Sequence, residues 1–360
     1  KNMFVHQTKK MLKEYPDVDF MILHFDIYQF QVYNSVFGMR GGDKLLCHIA
    51  DMLRKMSGYV EHMTYCRIEA DAFCICMPVA GNEDIQRMMD CFQKDLQSYQ
   101  RDYNILSNLG VFYIEDKEAS IYGMIDHAKL ASKECKGNYI QNYHIYTEEI
   151  GKIIQEAQSI VSDMERAMKE EEFVLYLQPK YGLAEYKLKG AEVLVRWITP
   201  EKGMVSPGKF IPVFEKNGLI MKLDYYIWDK SCRLIRNWLD RGLEPFPISV
   251  NISRVSMYNP RIVEEIYDLT VKYNIPPKYF QLELTESAYT DNPGTIKKAM
   301  RQLQEYGFTI LMDDFGSGYS SLNVLKDISV DVLKLDMKFM AASGSENQRR
   351  SESIVANVIR

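Results

Sequence analysis

The chain has 360 residues, more than one domain usually contains, and its 46% hydrophobic and 26% charged residues are typical of a globular protein, so we expect two domains. A net charge of -5 and a pI near 5.8 argue against a protein that coats nucleic acid, because such proteins carry a basic stripe or tail. No apolar stretch reaches the roughly 18 to 20 residues of a membrane span, no signal segment begins the chain, and the seven cysteines lack a CxxC pair, so we expect reduced thiols in a cytoplasmic protein.

The first half contains strand and helix patterns that predict a compact α/β sandwich. An apolar run ending in an aspartate, "FMILHFD" at 20–26, comes first, and a helical pattern follows at 41–56. Residues 64–78 then predict two strands around a tight turn, and "SNLGVFYI" at 107–114 predicts another strand. The helical pattern after it ends at Gly137, a residue type that favours helix C-termini.

A further helical pattern separates two halves of different composition. All six histidines lie before residue 145, and all three tryptophans lie after it. Residues 148–172 place apolar side chains at helical spacing among charged ones, which is typical of an exposed connecting helix. We therefore predict a first domain over 1–148, a linker helix over 149–171 and a second domain over 172–360.

Six apolar runs alternate with helical stretches in the second half. This alternation predicts a largely parallel sheet with helical crossovers, and six such units indicate a barrel of the TIM type. The runs are "FVLYLQP", "GAEVLVRW", "FPISVNIS", "FQLELTE", "FTILMDDFG" and "VDVLKLD".

Polar residues recur toward the ends of these predicted strands, and a parallel barrel would bring them to one face. Any one of them alone is more simply explained as a helix cap or a surface charge. Together, several carboxylates would repel one another unless a divalent cation neutralised them, and oxygen ligands favour Mg²⁺ or Mn²⁺ over zinc. The residues are Glu192, Asn251, Glu283, Glu286, Asp313, Asp314, Lys334 and Asp336.

The second half contains no histidine, which restricts the chemistry that it could perform. A hydrolase built there must activate water with metal ions assisted by a carboxylate or a lysine. Two metals about 3.5 to 4 Å apart, bridged by a carboxylate such as Asp313, suit phosphodiester cleavage. Arg196 follows Glu192 on the same predicted strand, where it could hold a phosphate or form a surface ion pair, and the sequence leaves both alternatives open.

The motifs of residues 173–340, taken together and in order, resemble those of EAL-domain cyclic-di-GMP phosphodiesterases. They are "AEVLVRW", "FIPVFEKNGLI", "SVNIS", "LELTES", "MDDFGSGYSSL" and "DVLKLD", with Val193 in place of the alanine of the family name. The resemblance implies an irregular β/α barrel that linearises cyclic di-GMP to pGpG with two Mg²⁺ or Mn²⁺ ions.

The same resemblance implies a role for each matching residue. Lys334 would orient or deprotonate the attacking water, and together with Glu192 and Asp313 it would form the catalytic set. The "FGSGYSS" segment would couple a homodimer interface to the metal site. The implied metal ligands are Glu192, Asn251, Glu283, Asp313 and Asp314, and the implied substrate contacts are Gln178, Arg196 and Asp336.

The first half resembles GGDEF diguanylate cyclases at "FDIYQFQVYNSVFGMRGGD" and "CRIEADAFCICMP". Both signature glycines of the turn are replaced, by Glu69 and Ala70, and Ala72 removes an acidic position that family members use. A glutamate adds bulk and negative charge near a triphosphate, so we expect this domain to be catalytically inactive. The residues that still match family contacts are Asp26 (metal), Asn34 and Asp43 (guanine), Asp71 (the retained acidic position) and Lys133 (phosphate).

The inactive domain leaves three roles open: it binds GTP as an activator, it relays signals through the linker helix, or it is a spacer. For the second domain, the main alternative to hydrolysis is a receptor that binds cyclic di-GMP without turnover. Cyclase activity is a third hypothesis, and Ala72 argues against it.

The ends of the chain predict a piece of a longer protein. The sequence starts at Lys1 rather than at a methionine and stops at Arg360 in mid-pattern, whereas members of the EAL family continue into two more strands that carry further glutamates. A barrel without these strands would have open edges and an incomplete core, so we expect activity from the intact parent rather than from a chain that ended here. An upstream segment of that parent could anchor it to a membrane.

Overall fold

The computed structural model describes residues 1–79, 81–100, 103–134, 143–286, 288, 293–315 and 330–336. The chain forms two compact units, Lys1–Glu156 and Ala157–Arg360, and both combine helices with strands. The division between them falls inside the helix that the sequence predicts as a connector. Within the described segments, no helix is both long and apolar enough to cross a membrane.

The first unit contains, in chain order, α1 (Asn2–Glu14), β1 (Phe20–Ile27), α2 (Phe30–Met56), β2 (Thr64–Glu69), β3 (Ala72–Pro78), α3 (Asn82–Tyr99), β4 (Ser107–Tyr113), α4 (Ile121–Glu134) and β5 (Tyr143–Ile145). Its strands form one sheet in the order β2-β3-β1-β4-β5. Neighbouring strands are antiparallel except for the parallel β4–β5 pair.

Strand β1 supplies two hydrophobic cores because its side chains alternate between the faces of the sheet. Leu23 and Phe25 pack with α2 and α3, whereas Phe20 and Ile22 pack with α1 and α4. Helices therefore cover both faces of the sheet, and the predicted α/β sandwich is confirmed.

The predicted strands and helices of the first half are present, with one difference in extent. Helix α2 begins at Phe30 rather than at Gly41, because a bend at Gly38 (φ 74°) joins two helical segments. The β2–β3 turn contains Ala70 at φ 42°, in the left-handed region that glycine enters readily and other residues seldom adopt. The predicted helix end at Gly137 lies outside the described residues.

Helix α5 (Glu148–Lys169) spans the division between the units. After it come β6 (Phe173–Tyr181), β7 (Leu188–Thr199), β8 (Gly203–Val205), α6 (Pro207–Lys216), α7 (Ile220–Asp240), β9 (Ile248–Asn251), α8 (Arg254–Met257), α9 (Ile262–Lys272), a 3₁₀ turn (Pro277–Tyr279), β10 (Phe280–Thr285), α10 (Pro293–Glu305), β11 (Ile310–Phe315) and β12 (Val332–Leu335). These strands form one sheet in the order β12-β11-β10-β9-β7-β6, with β8 paired to β7.

Strands β7, β9, β10, β11 and β12 are parallel, as the alternation of strands and helices predicts. Strand β6 departs from that pattern, because it pairs with β7 in antiparallel register. Residues 182–187 alone join the two strands, and this connection is too short for the crossover that parallel neighbours need. The described arrangement agrees with a TIM-like barrel whose first strand is reversed. Residues 316–329, which hold most of "FGSGYSS", lie outside the described part of the chain.

Strand β7 separates a hydrophobic core from a polar face. Val193, Val195 and Trp197 are buried in the core that the sheet forms with its helices. The alternate side chains, which include Glu192 and Arg196, are half-buried and lie on the opposite face. The same alternation on the neighbouring strands brings further polar side chains to this face.

Candidate metal centre

Three carboxylates from separate strands converge on the polar face of the second unit's sheet. Glu192 lies on β7, Glu283 on β10 and Asp313 on β11, and one oxygen of each lies within 4.8 Å of the others. The Glu283 side chain is fully buried, whereas those of Glu192 and Asp313 are 14% and 23% exposed. Carboxylates this close repel one another, so the cluster requires positive charge.

The positive charge at the centre of this cluster is the ammonium group of Lys334, on β12. Its Nζ donates to Oε2 of Glu192 at 2.9 Å, and to Oε2 of Glu283 and Oδ2 of Asp313, both at 2.8 Å. Burial favours the neutral amine, but the three hydrogen bonds outweigh burial and raise the pKa of Lys334. Lys334 is therefore charged here and neutralises part of the cluster.

A second lysine, which the sequence analysis missed, contacts the same cluster. Lys180, on β6, donates to Oε1 of Glu283 at 2.5 Å and to the Ser249 hydroxyl at 2.6 Å. Burial favours protonation of Glu283, but hydrogen bonds from Lys180 and Lys334 outweigh it and hold the pKa of Glu283 below its usual range. The sequence signal for Lys180 was its position two residues after Gln178, which places both on one face of a strand.

Asn251 and Asp314, the other two implied ligands, lie beside the cluster. Asn251 ends β9, and its Nδ2 is 3.5 Å from Oε1 of Glu192. Asp314 is exposed, has a left-handed backbone (φ 57°), and donates its N–H to Oδ1 of Asp313 at 2.9 Å. The structure thus joins three of the five implied ligands in one group, and Asp314 lies outside that group.

The implied substrate contacts lie on the same face or next to it. Gln178 is exposed and is paired with Glu192 across β6 and β7. Arg196 lies four residues beyond Glu192 on β7, and its guanidinium is 5.5 Å from the centre of the Tyr176 ring. Asp336 directly follows β12, the strand of the central lysine.

In the first unit, two carboxylates that match cyclase residues lie at one end of the sheet. Asp26, near the end of β1, accepts a hydrogen bond from the Asn108 amide at 3.1 Å. Asp71 accepts one from the N–H of Ile27, the next residue along β1, at 3.0 Å. Lys133 is exposed on α4.

Two further matching residues lie on α2. Oδ1 of Asn34 is buried against Gly42, where an added Cβ would lie 1.9 Å from that oxygen. Asp43 is exposed and lines a cavity of about 340 Å³ together with Arg67. The fold therefore places the implied guanine contacts on one helix.

The altered turn of the first unit is tied to α4 by an ion pair that glycine could not form. Glu69 pairs with Lys129, and the hydrogen bond between them lowers the pKa of Glu69. Ala70 keeps the left-handed conformation that suits glycine, and Ala72 is buried.

Comparison with known proteins matches both units to families. The family model for the EAL domain matches residues 161–360, and that for the diguanylate cyclase GGDEF domain matches residues 1–139. The chain belongs to the tandem GGDEF–EAL proteins. The resemblance seen in the motifs is therefore confirmed, and with it the α/β fold of both units.

Two curated relatives are similar over almost the whole of this GGDEF–EAL chain. The signaling protein YkoW of Bacillus subtilis is 29% identical over 98% of this chain and 44% of its own length. The bifunctional diguanylate cyclase/cyclic di-GMP phosphodiesterase MucR of Pseudomonas aeruginosa is 28% identical over 94% of this chain and 50% of its own. This chain thus spans about half the length of the curated relatives it matches.

Solved structures share the fold. The PaMucR phosphodiesterase in complex with c-di-GMP is 33% identical, with a TM-score of 0.51, and the match covers 55% of this chain and 81% of that one. The S helix–GGDEF–EAL portion of Vibrio cholerae LapD, bound to c-di-GMP, matches 99% of this chain and 85% of its own with a TM-score of 0.51. Its sequence identity is 19%, so this likeness shows a common fold alone.

Proposed function

We propose that the EAL domain hydrolyses cyclic di-GMP to linear pGpG, while the GGDEF domain regulates that reaction and makes no cyclic di-GMP. The observation that carries the proposal is the group of Glu192, Glu283 and Asp313 with Lys334 at its centre. The 33% identity to the PaMucR phosphodiesterase, whose solved structure contains c-di-GMP, supports the same substrate.

The cluster suits divalent cations such as Mg²⁺ or Mn²⁺, and two ions are proposed. Its carboxylate oxygens are ligands that these ions prefer, and Asn251, beside the cluster, would add an amide oxygen. The residues proposed to hold the ions are Glu192, Asn251, Glu283, Asp313 and Asp314. Bound ions would polarise the phosphodiester and lower the pKa of a water molecule.

The chain's own side chains would bind and orient the substrate. Arg196 lies on the same strand face as Glu192 and would pair with a phosphate group, since a guanidinium matches phosphate oxygens in a bidentate fork. Gln178 and Asp336 would form hydrogen bonds with the nucleotide. Nζ of Lys334 would donate to the attacking water and orient it.

The GGDEF domain would act by binding nucleotide rather than by synthesis. The Glu69–Lys129 ion pair lies at the turn where active cyclases carry glycines, and Ala72 supplies no carboxylate. We further propose that the EAL domain forms a homodimer. The residues proposed to bind GTP as an activating ligand are Asp26, Asn34, Asp43, Asp71 and Lys133.

The proposal is tested by incubating the full-length protein with cyclic di-GMP and Mg²⁺ or Mn²⁺ and separating the products by chromatography. We expect pGpG from the unsubstituted protein and none above background from Glu192→Gln. Tight binding of cyclic di-GMP in calorimetry without any pGpG would overturn hydrolysis in favour of a receptor. In a parallel incubation with GTP, we expect no cyclic di-GMP.

A further inference from the structure

We infer that Lys180 is a positioning residue that fixes the orientation of Glu283 in the metal centre, an inference that rests on the function proposed above. The motif resemblance assigns roles to Gln178 and Glu283 but none to Lys180. Its ammonium nevertheless contacts the one carboxylate of the cluster that is fully buried.

The contact depends on the length of a lysine side chain. Strands β7 and β9 lie between β6 and β10 in the sheet, so three strand spacings of about 4.8 Å separate the two backbones along it. Lys180 and Glu283 extend toward each other over the polar face and meet at 2.5 Å. A shorter side chain in place of Lys180 would leave Oε1 of Glu283 without this partner.

The Glu283 carboxylate is shared between two lysines, one on each oxygen. Oε1 accepts a hydrogen bond from Lys180, whereas Oε2 accepts one from Lys334, which also contacts Glu192 and Asp313. Lys180 thus holds one oxygen from the side and leaves the other turned toward the remaining carboxylates. In this orientation Glu283 would hold a divalent cation together with Glu192 and Asp313.

Lys180 is itself held in place by the strands that it spans. Its ammonium also donates to the hydroxyl of Ser249 on β9, and that buried hydroxyl donates to the Ala191 carbonyl on β7 at 3.4 Å. With two fixed partners, the side chain has lost the rotamer freedom of a surface lysine. The ammonium group can therefore hold the Glu283 carboxylate in a fixed position relative to the sheet.

Positioning and simple charge compensation predict opposite effects on metal affinity. A lysine that only added positive charge would repel a divalent cation, so its removal would tighten metal binding. A lysine that orients a ligand would, when removed, leave a buried carboxylate free to rotate or to take up a proton. Loss of such a supporting partner typically weakens metal binding about 10- to 100-fold.

The first experiment measures Mn²⁺ affinity by calorimetry for the full-length protein and three variants. We expect Lys180→Met to weaken Mn²⁺ binding at least about tenfold and Lys180→Arg to restore part of it. The control is Lys189→Met, because Lys189 is an exposed lysine of the adjacent strand that pairs with Glu185, and it should leave the affinity unchanged. Unchanged or tighter Mn²⁺ binding in Lys180→Met would overturn the inference.

The second experiment requires neither metal nor substrate. Lys180→Met, Glu283→Gln and the double variant are unfolded with urea in buffer that contains a chelator. In the otherwise unsubstituted protein, we expect Lys180→Met to raise the unfolding equilibrium constant at least about tenfold. In the Glu283→Gln background, the same substitution should raise it less than about threefold, because the buried carboxylate charge is then absent. Equal effects in both backgrounds would contradict a direct coupling. If Lys180→Met does not fold, Lys180→Gln replaces it.

Kinetics separate this inference from the proposed function. In a protein that forms pGpG, Lys180→Met should lower kcat about tenfold or more at saturating Mn²⁺, with KM changed less than about threefold. An equal loss in kcat for Lys189→Met would contradict a specific role. If the unsubstituted protein forms no pGpG, the proposed function fails, and Mn²⁺ affinity and the unfolding cycle still decide the role of Lys180.

Discussion

Nζ of Lys334, on β12, lies 2.8 Å from Oδ2 of Asp313, on β11. The two strands are parallel, and their pairing is interrupted next to Asp313. The register of β11 and β12 shifts between Met312 and Phe315, and Asp314 has a left-handed backbone with φ 57°. Irregularities of this kind redirect side chains at functional sites. Of the two adjacent aspartates, Asp313 belongs to the carboxylate group and Asp314 is exposed.

Asp313→Asn should abolish most hydrolysis while leaving the fold intact. The substitution removes one of the four carboxylates proposed to hold divalent ions, so we expect the rate of pGpG formation to fall at least about a hundredfold. Mn²⁺ should also raise the melting temperature of the variant less than that of the unsubstituted protein. Asp268→Asn, at an exposed position of α9, is the control, and equal rates in both variants would contradict the assignment.

Lys334→Met should destabilise the metal-free protein. Without the ammonium, three converging carboxylates lose their shared partner, and removal of one member of a buried ion pair costs about 3 to 5 kcal/mol. Added Mn²⁺ should recover part of this loss, because a divalent cation replaces the missing charge. Urea unfolding with and without Mn²⁺ measures both effects. Lys298→Met, at an exposed position of α10, should show neither.

Asp224→Asn should change how stability depends on pH. Burial raises the pKa of Asp224 to about 6, although Ser253 and Ser256 donate hydrogen bonds that oppose the rise. The folded protein therefore holds this proton more tightly than the unfolded chain. The contribution of Asp224 to the free energy of unfolding is most favourable below about pH 4, and it declines by about 3 kcal/mol as pH rises toward 6. Relative to the unsubstituted protein, the variant should gain stability over that interval in urea unfolding.

Asp229→Asn provides a control of opposite sign for that experiment. Burial alone would raise the pKa of Asp229, but hydrogen bonds from Lys272, Arg233 and Tyr273 outweigh it and lower the pKa. Its contribution is present above the ordinary pKa of an aspartate and is lost as pH falls. This variant should therefore lose relative stability as pH rises. The same slope in both variants would contradict the assigned shifts.

Ala70→Gly should stabilise the first unit. Ala70 has φ 42°, where a Cβ costs about 1 kcal/mol and glycine has no such penalty, so we expect a gain of about 0.5 kcal/mol after the entropy of glycine is included. Ala184→Gly, in the exposed β6–β7 connection and without a positive φ, should lower stability slightly. Thermal unfolding of the two variants checks the difference, and a loss in both would show that Ala70 is not strained.

Local pattern was sufficient to predict most elements and the residue types of the candidate site. Apolar runs predict β1 and β7, and the acidic residues on successive strands predict that Glu192, Glu283 and Asp313 meet. Both inferences succeed because the burial of an apolar run and the edge at which parallel strands end follow from the local sequence and chain direction.

Tertiary structure decided which charged side chains are in contact. The contact of Lys180 with Glu283 and the central place of Lys334 both depend on strands that are far apart in sequence. The packing of the whole sheet sets strand pairing, register and sheet curvature. These determine the distances between side chains on different strands, which cannot be read from residue spacing along the chain. The amino-acid sequence therefore supplies a set of carboxylates, and the fold determines that two lysines share the buried one.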